Sequence, residues 1–382
     1  MKLCIVRQQY RPDGGAERFI SRALEQLSRQ NLFDVSVITR NWQGDAQPGV
    51  EIIERNPEFK GRIAREISFA EAARETWQQQ TFDLVQSHER IAGCDIYRAG
   101  DGVHREWLKQ RARIMNPVAA WYLGYSKYHR YVLQAEKALF ESEKLQAVIC
   151  NSQMVRDEVI SYFNIAPEKV QVIYNGIDTA KFSPCSRAIQ NELRQTLQLP
   201  DRLTLLYVGS GFERKGLKTA IQALAESSVD AQLVVVGKDK RRPKYEKLAA
   251  KLNVADRIIF TGMQPDPKPY YQAADALIHP ALYDPFPNVI HEAMASGLPV
   301  LTSTKSGGAE FITQAKQGFV ADALDVRAFS GFIQQLTDTP LLQEMKLQAR
   351  EFIEPYTIEN CIQQYNDLYL TFCPAEQKTN PS

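Results

Sequence analysis

The sequence predicts an α/β protein made of two successive doubly wound units, each a parallel sheet covered by helices on both faces. Short runs rich in valine and isoleucine recur along the chain, and stretches with apolar residues at helical spacing separate them. The chain has 382 residues. That length is too great for one compact core and suits two domains of roughly 150 to 200 residues each.

Eleven strands are predicted, each a short apolar run buried on both faces. The first unit has strands at 3–6, 35–39, 83–87, 96–99, 147–150 and 170–174, and the second at 203–208, 232–236, 258–261, 276–279 and 300–303. Helical spacing predicts helices at 17–30, 244–252 and within 326–369.

The strand pattern divides the chain into domains. We expect an N-terminal domain over 1–177 and a C-terminal domain over 178–355. A helix over 356–373 should pack back on the N-terminal domain, and a flexible tail should follow over 374–382. Residues 176–200 contain Pro184 and little strand pattern, so they predict an interdomain linker with a short helix.

Composition excludes several classes of function. Hydrophobic residues make up 44% of the chain and charged residues 24%, which is ordinary for globular proteins. The formal net charge of +1 argues against a general nucleic-acid binder, which needs a large basic excess. No apolar stretch reaches the roughly 18 residues of a membrane span. The six cysteines form no CxxC or Cys/His cluster, so we expect reduced core thiols and no metal site.

Residues 104–130, the basic aromatic segment, depart from the rest of the chain. They contain six Lys or Arg residues against one acid, a net of +5, interleaved with tryptophan and tyrosine. Such a mixture suits the headgroup level of an anionic bilayer. The alternative is a solvated helical pair whose aromatics pack on the domain. The predicted membrane contacts are Trp107, Lys109, Arg111, Arg113 and Trp121.

Candidate ligand-binding groups follow the predicted strands, because open parallel sheets bind ligands at the carboxyl ends of their strands. Gly14 and Gly15 precede a predicted helix, where bare amides can approach an anion, although turn chemistry alone is the alternative. Residues 209–216 match neither a dinucleotide fingerprint nor a Walker loop. They place Arg214 and Lys215 at a helix start, where two cations can neutralise a diphosphate without a metal. A solvated Arg–Lys pair is the alternative.

A third loop carries two acids eight positions apart. Asp284 lies in the loop, and Glu292 lies in the helix that Pro287 opens. We expect the helix-start amides of Asn288 and Val289 to point at the same space as the Asp284 carboxylate. The two acids could then grip two ends of one ligand, such as hydroxyls of a sugar and of a ribose. Two acids at this spacing mean little alone, and the pattern becomes specific because Glu292 runs directly into Ala-x-Ala-x-Gly-x-Pro-Val.

On these motifs the chain resembles the retaining, GT-B-fold glycosyltransferases of family 4, whose signature is an acid, seven residues, then glutamate and that same run. Within the family it is most similar to bacterial lipopolysaccharide core glycosyltransferases, on residues 209–216 and the basic aromatic segment. The resemblance implies two Rossmann-like domains facing a central cleft. It also implies transfer of a sugar of the glucose or N-acetylglucosamine class from a UDP-sugar to a lipopolysaccharide core acceptor. The alternatives are an epimerase-like nucleotide-sugar enzyme on the same fold and an inactive UDP-binding scaffold.

The resemblance also implies roles for individual residues. The diphosphate would lie on Arg214 and Lys215, the ribose on Glu292, and the transferred sugar on Asp284. Asp101 stands nearest the place where many members have a sugar-contacting histidine, and His104 follows one turn on; for Asp101 a helix N-cap is the alternative. The remaining predicted donor contacts are Gly14, Gly15, Met263, Phe286, Asn288 and Val289.

The implied reaction uses no cofactor and no metal, with the UDP-sugar as a substrate. Its expected partners are the nucleotide sugar, a lipid-linked oligosaccharide acceptor and an anionic inner-membrane surface, and no nucleic acid. We therefore expect a cytoplasmic protein that associates peripherally with the inner membrane. The configuration at the anomeric carbon should be retained in a same-face reaction, in which the leaving diphosphate oxygen takes the acceptor's proton.

Overall fold

The computed structural model describes residues 1–10, 33–44 and 48–372, which form two compact units. The first unit comprises Met1–Asn151, Val155–Gly176 and the chain from Ile358 onward. The second comprises Ser152–Met154 and Ile177–Thr357. The helix predicted over 17–30, the pair Gly14 and Gly15, and the tail predicted over 374–382 lie outside the described residues.

The first unit is built on a parallel sheet. Its strands are β1 (Lys2–Val6), β2 (Gln9–Tyr10), β3 (Asp34–Thr39), β4 (Asn41–Trp42), β5 (Val50–Glu54), β6 (Leu84–Ser87), β7 (Ile96–Arg98), β8 (Ala147–Cys150) and β9 (Val170–Val172). Seven of them form one sheet in the order β5-β3-β1-β6-β7-β8-β9, and β2 pairs with β4. Its described helices are α1 (Arg62–Gln79), α2 (His104–Ala112), α3 (Pro117–Leu123), α4 (Lys127–Phe140), α5 (Gln153–Tyr162, which begins in the second unit) and α13 (Ile358–Phe372).

Helix α13 belongs to the core of the first unit although it ends the described chain. Tyr365 and Tyr369 on this helix are buried with residues of the central strands. The Tyr369 hydroxyl donates a hydrogen bond to Gln86 at 2.9 Å, and Arg98 donates one to the Tyr365 hydroxyl at 2.8 Å. These two hydrogen bonds fix the position of α13 along the sheet. Apolar packing alone would define that position less specifically.

The second unit repeats the architecture with six parallel strands. They are β10 (Leu203–Val208), β11 (Ala231–Val236), β12 (Ile258–Gly262), β13 (Ala276–His279), β14 (Val300–Ser303) and β15 (Gly318–Ala321). The sheet order is β12-β11-β10-β13-β14-β15. Its described helices are α6 (Arg187–Thr196), α7 (Leu217–Glu226), α8 (Arg242–Lys251), α9 (Lys268–Ala273), α10 (Asn288–Ala295), α11 (Val326–Gln335) and α12 (Thr339–Ile353).

This strand order creates a switch point in the second sheet. From β10 the chain adds β11 and β12 on one side, and it then returns to place β13 on the other side of β10. The loops that leave the carboxyl ends of β10 and β13 therefore diverge over opposite sides and leave a crevice between them. In open α/β sheets this crevice is where ligands bind.

The fold class and all predicted strands are confirmed, each strand within two residues of its expected bounds. The short helix predicted within residues 176–200 is confirmed as α6, but the linker interpretation is wrong, because residues from Ile177 onward belong to the second unit. Helix α6 is held there by Gln190, which donates to the Ala274 carbonyl at 2.8 Å, and by Arg194, whose guanidinium lies 2.7 Å from the Asp275 carboxylate.

Among the described residues, no helix is long and apolar enough to span a bilayer. The described cysteines are unpaired, and all except Cys185 are buried. Burial raises the pKa of Cys94 to about 12, so this thiol stays protonated and unreactive at neutral pH.

Candidate functional site

The switch point of the second unit brings two predicted loops together. One is the glycine loop, residues 209–216, which follows β10. The other is the acid loop, residues 280–287, which follows β13. The Leu282 amide donates a hydrogen bond to the Arg214 carbonyl at 2.8 Å, and the Arg214 guanidinium donates one to the Tyr283 carbonyl at 2.9 Å. The two loops therefore hold one another in place through these hydrogen bonds.

Two residues of the glycine loop explain its shape. Gly216 has a φ of 75°, and a Cβ built on it would lie 1.8 Å from the Pro280 carbonyl oxygen, so only glycine fits between the loops. Phe212 is fully buried with its ring 5.9 Å from Tyr207 and 5.6 Å from Tyr245, as centroid distances. This apolar anchor points inward and leaves the following Arg214 and Lys215 on the crevice side of the turn.

The acid loop is also held by backbone hydrogen bonds to the segment that follows β14. The Asp284 amide donates to the Lys305 carbonyl at 3.0 Å, and the Gly307 amide donates to the Asp284 carbonyl at 2.9 Å. A Cβ on Gly307 would meet the Pro285 carbonyl oxygen at 1.9 Å. Gly307 thus permits the close approach that holds the Asp284 backbone at the carboxyl ends of β13 and β14.

Four titratable side chains meet at the crevice and form the Asp284 cluster: Arg214, Lys215, His279 and Asp284. The Oδ2 atom of Asp284 lies 3.4 Å from Arg214 Nη1, 3.5 Å from Lys215 Nζ and 3.3 Å from His279 Nε2. Of these, only the side chain of Arg214 is substantially exposed, at 36%. The structure therefore joins the predicted cations to the predicted acid.

Electrostatics within the Asp284 cluster follow from burial and charge. Burial alone would raise the pKa of Asp284, but Arg214 and Lys215 outweigh burial and hold that pKa well below its ordinary value. Burial lowers the pKa of Lys215, and the Asp284 carboxylate offsets part of that shift. Burial likewise lowers the pKa of His279. At neutral pH the Asp284 carboxyl is therefore ionised and the His279 imidazole is neutral.

Sequence reasoning missed His279 and Tyr271. His279 ends an otherwise apolar strand, and that placement was the available signal. Tyr271 lies on α9, and its hydroxyl donates to Glu292 Oε2 at 2.6 Å. This bond holds one oxygen of the buried Glu292 carboxylate, on the second turn of α10. No sequence spacing connects a tyrosine with a glutamate twenty-one residues later.

The other predicted donor contacts lie near the same edge with different exposures. Met263 follows β12 and is 58% exposed. Asn288 and Val289 open α10, which begins directly after Pro287, as predicted. Pro287 occupies the N-cap position and provides no side-chain cap. Phe286 is buried, with its ring centroid 4.5 Å from that of His291. Its ring is therefore part of the core.

In the first unit, Asp101 is an exposed residue after β7. Its carboxylate lies 3.7 Å from Arg90, which also pairs with the buried Glu136 at 2.9 Å. The N-cap alternative for Asp101 is wrong, because the N-cap position of α2 is Val103. His104 Nε2 lies 3.0 Å from Nδ1 of His129. Burial, together with the charge of Arg90, lowers the pKa of His104 to about 3, so this imidazole is neutral at pH 7.

The basic aromatic segment folds into α2, α3 and the start of α4. On α3 the side chains of Trp121 and Tyr122 are each 60% exposed, and Tyr125 beyond it is 57% exposed. Lys109 and Arg113 are exposed, whereas Trp107 and Arg111 are partly buried. The alternative that the aromatics pack on the domain therefore describes Trp107 but not the residues of α3.

No group of three or more His, Cys, Asp or Glu side chains that could hold a metal ion occurs within the described residues. At the switch point, the side chains of Arg214 and Lys215 provide positive charge next to the start of α7. A positive pair beside a helix N-terminus can bind a diphosphate, with the carboxylates of Asp284 and Glu292 available to hydroxyl groups.

Comparison with known proteins gives two family matches. The model for Glycosyltransferase Family 4 matches residues 13–181, and the model for glycosyl transferases group 1 matches residues 189–352. The chain is 28% identical over 359 residues to the lipopolysaccharide glucosyltransferase WaaG of Escherichia coli strain K12, covering 91% of this chain and 92% of WaaG. It is 24% identical to the lipopolysaccharide core biosynthesis glycosyltransferase LpsE of Rhizobium meliloti, covering 85% and 86%.

Solved structures agree with the sequence matches. The crystal structure of WaaG superimposes with a TM-score of 0.82 at 26% identity, covering 96% of this chain and 99% of WaaG. Anabaena HepE, at 19% identity, has a TM-score of 0.73 over 97% of this chain and 100% of its own, and shares the fold.

Proposed function

Because the chain belongs to the GT-B glycosyltransferases, with a Glycosyltransferase Family 4 domain followed by a glycosyl transferases group 1 domain, we propose that it transfers a hexose from a UDP-sugar to a lipopolysaccharide core oligosaccharide. The transferred sugar is of the glucose or N-acetylglucosamine class. Similarity to WaaG, a lipopolysaccharide glucosyltransferase, and to LpsE, a lipopolysaccharide core biosynthesis glycosyltransferase, supports this acceptor class. HepE has been crystallised with UDP and glucose, which supports the donor class.

The observation that carries the proposal is the convergence of Arg214 and Lys215 on one crevice of the second unit. Both cations lie within 3.5 Å of Asp284 Oδ2, so the protein's own carboxylate holds them together. Charge develops on the diphosphate as the glycosidic bond breaks, and preorganised cations stabilise that charge without having to reorganise. Side chains thus supply the positive charge, and we propose a metal-independent reaction.

The remaining donor contacts follow from the geometry of the second unit. Glu292 keeps one carboxylate oxygen on the Tyr271 hydroxyl, and the other would accept hydrogen bonds from the ribose. The backbone at Met263 would face the base. Asp284, with the amides of Asn288 and Val289, would bind the transferred sugar. The reaction would proceed with retention, on one face of an oxocarbenium-like sugar, with the leaving phosphate oxygen taking the acceptor's proton.

The first unit would bind the acceptor. We propose that the basic aromatic segment touches the anionic membrane that carries a lipid-linked acceptor. Trp121, Tyr122 and Tyr125 expose ring surface beside Lys109 and Arg113, the combination that amphipathic interfacial helices present to headgroups. Such peripheral binding would bring the enzyme to its acceptor.

A panel of nucleotide sugars, each incubated with delipidated core oligosaccharide, tests the proposal. We expect transfer from a UDP-hexose, with the anomeric configuration retained in the product by NMR, and thermal stabilisation by the same donor. Conversion of the free donor without an acceptor would instead identify an epimerase-like enzyme. UDP binding without turnover of any donor would identify an inactive scaffold.

A further inference from the structure

We infer that His279 is a positioning residue for Asp284. With Arg214 and Lys215 it holds one carboxylate oxygen, Oδ2, and thereby leaves the other, Oδ1, to accept a hydrogen bond from a hydroxyl of the transferred sugar. The inference rests on the proposed function, since it assigns the individual oxygens of a carboxylate already proposed to bind that sugar.

The contacts of Asp284 are unequal between its two oxygens. His279 Nε2, Arg214 Nη1 and Lys215 Nζ all approach Oδ2, at 3.3, 3.4 and 3.5 Å. In the described part of the chain, no hydrogen bond or ion pair reaches Oδ1 of this carboxylate. A carboxylate oxygen has lone pairs for about two hydrogen bonds. Oδ1 is therefore the acceptor that remains for a ligand.

The imidazole is held so that it can direct the carboxylate. His279 is fully buried, and its ring lies 6.5 Å from that of Tyr207 at an interplanar angle of 30°. Its backbone carbonyl accepts hydrogen bonds from the Thr302 hydroxyl at 3.0 Å and from the Ala281 amide at 2.9 Å. Because Asp284 is ionised and His279 is neutral, the proton must lie on Nε2, which donates to Oδ2.

A buried histidine at this position lowers the stability of the fold unless its hydrogen bond to Asp284 offsets the loss. Nδ1 of His279 is buried and has no hydrogen-bond partner among the described residues. A buried acceptor without a partner is destabilising, whereas an apolar residue at the end of β13 would avoid that penalty. The bond to Asp284 is the contact that an apolar residue could not provide.

The three partners of Oδ2 would respond differently to a bound nucleotide-sugar donor. Arg214 and Lys215 would turn part of their charge to the diphosphate, and Coulomb attraction fixes the direction of a carboxylate only weakly. The Nε2–H donor of His279 is directional and does not contact the diphosphate in the proposed arrangement. It would therefore keep Asp284 oriented while the cations change partner.

Two substitutions separate positioning from packing. His279→Leu removes the donor at similar volume, and His279→Gln keeps an amide N–H near the position of Nε2. We expect His279→Leu to lower kcat for transfer about 10- to 100-fold, the usual worth of a hydrogen bond to a charged group. UDP affinity should stay within about twofold, because UDP lacks the sugar, and His279→Gln should recover most of the rate.

The outcomes distinguish the inference from the proposed function. Full transfer activity in His279→Leu, or a parallel loss of UDP affinity and thermal stability that His279→Gln does not relieve, would overturn the positioning role alone. A wild-type chain that transfers no sugar would remove the proposed function and the sugar role with it. Nitrogen NMR of the wild type, assigned through the two variants, should show a neutral His279 protonated at Nε2; protonation at Nδ1 would overturn the geometry whatever the activity.

Discussion

The Asp284 cluster of the second unit and the basic aromatic segment of the first unit carry charge in opposite ways. In the cluster, His279 and Asp284 are buried and Lys215 is mostly buried, and each depends on the others for partners. In the basic aromatic segment, charges and rings are spread over helices that face solvent. A single substitution should therefore disable the Asp284 cluster. The basic aromatic segment should instead lose membrane binding gradually, as successive charges are removed.

The largest effect should come from the backbone that supports the Asp284 cluster. Gly216 and Gly211 have nearly equal φ values of 75° and 74°, but only Gly216 would place a Cβ against the Pro280 carbonyl. Gly216→Ala should destabilise the protein by more than about 3 kcal/mol or prevent folding of the second unit. Gly211→Ala should cost about 1 kcal/mol, from the left-handed backbone alone. Equal unfolding free energies for the two variants would contradict the close packing of the two loops.

Removing one cation of the Asp284 cluster should have the next largest effect. Lys215→Ala should reduce turnover by roughly 10²-fold or more, about 3 to 4 kcal/mol for one preorganised stabiliser. Lys218, an exposed lysine on the first turn of α7, provides the matched control, and Lys218→Ala should leave turnover unchanged. Adding a metal chelator should have little effect on either protein. A strict requirement for a divalent metal would contradict the assignment of diphosphate charge to side chains.

The surface of the first unit should respond to the sum of its charges. Neutralising Lys109, Arg111 and Arg113 together should weaken sedimentation with anionic vesicles by about 3 kcal/mol, since each basic residue near anionic lipid contributes about 1 kcal/mol. Turnover on a soluble, delipidated acceptor should survive. Binding should fall with added salt and be absent with neutral vesicles.

Three exposed lysines of the second unit provide the control for that experiment. Lys240, Lys247 and Lys251 can be neutralised together for the same change in net charge. This variant should sediment with vesicles as the wild type does. If it loses binding equally, or if the wild type never binds, the basic aromatic segment is ordinary surface.

Asp284 and Glu292 should have opposite effects on UDP. The Asp284 carboxylate lies within 3.5 Å of both cations, so a diphosphate must compete with it for them. Asp284→Asn should therefore bind UDP up to about tenfold more tightly, about 1.4 kcal/mol, while sugar transfer falls. Glu292→Gln should weaken UDP through its lost ribose contacts. Calorimetry on both variants checks this division, and an equal loss of UDP affinity in the two would refute it.

The smallest effect concerns the exposed ring of Trp121. Trp121→Ala should change the free energy of unfolding by less than about 0.5 kcal/mol, because the ring is largely in solvent. Trp77→Ala, at a buried position of α1, should cost about 3 to 5 kcal/mol. Denaturant titration measures both. A large loss in Trp121→Ala would mean that this ring packs on the domain after all.

The two regions also differ in how far sequence could predict them. The strands were predictable because buried parallel strands are continuous apolar runs. Strand β5 was missed because glutamates interrupt the apolar residues of Val50–Glu54, which lies at the edge of the sheet. β15 was also missed, since its run is short and begins with glycine. The loops after β10 and β13 were predicted as ligand sites, and the strand order explains why they meet.

Pairings across the fold were not predictable. The contacts of His279 with Asp284 and of Tyr271 with Glu292 depend on where loops and helices settle, and no periodicity encodes them. Asp101 was open to interpretation as an N-cap because local sequence allows helix starts to shift by a few residues; the structure begins α2 at His104. The exposure of Trp121 likewise depends on which face α3 turns outward.

A crystal structure of the chain with bound UDP is the decisive test of the diphosphate site at the switch point. We expect diphosphate oxygens within hydrogen-bond distance of Arg214 and Lys215 and the ribose on Glu292. Asp284 should still be bonded to His279 but drawn away from the cations. UDP bound elsewhere, or bound with both ion pairs to Asp284 intact and no contact to Lys215, would contradict this assignment.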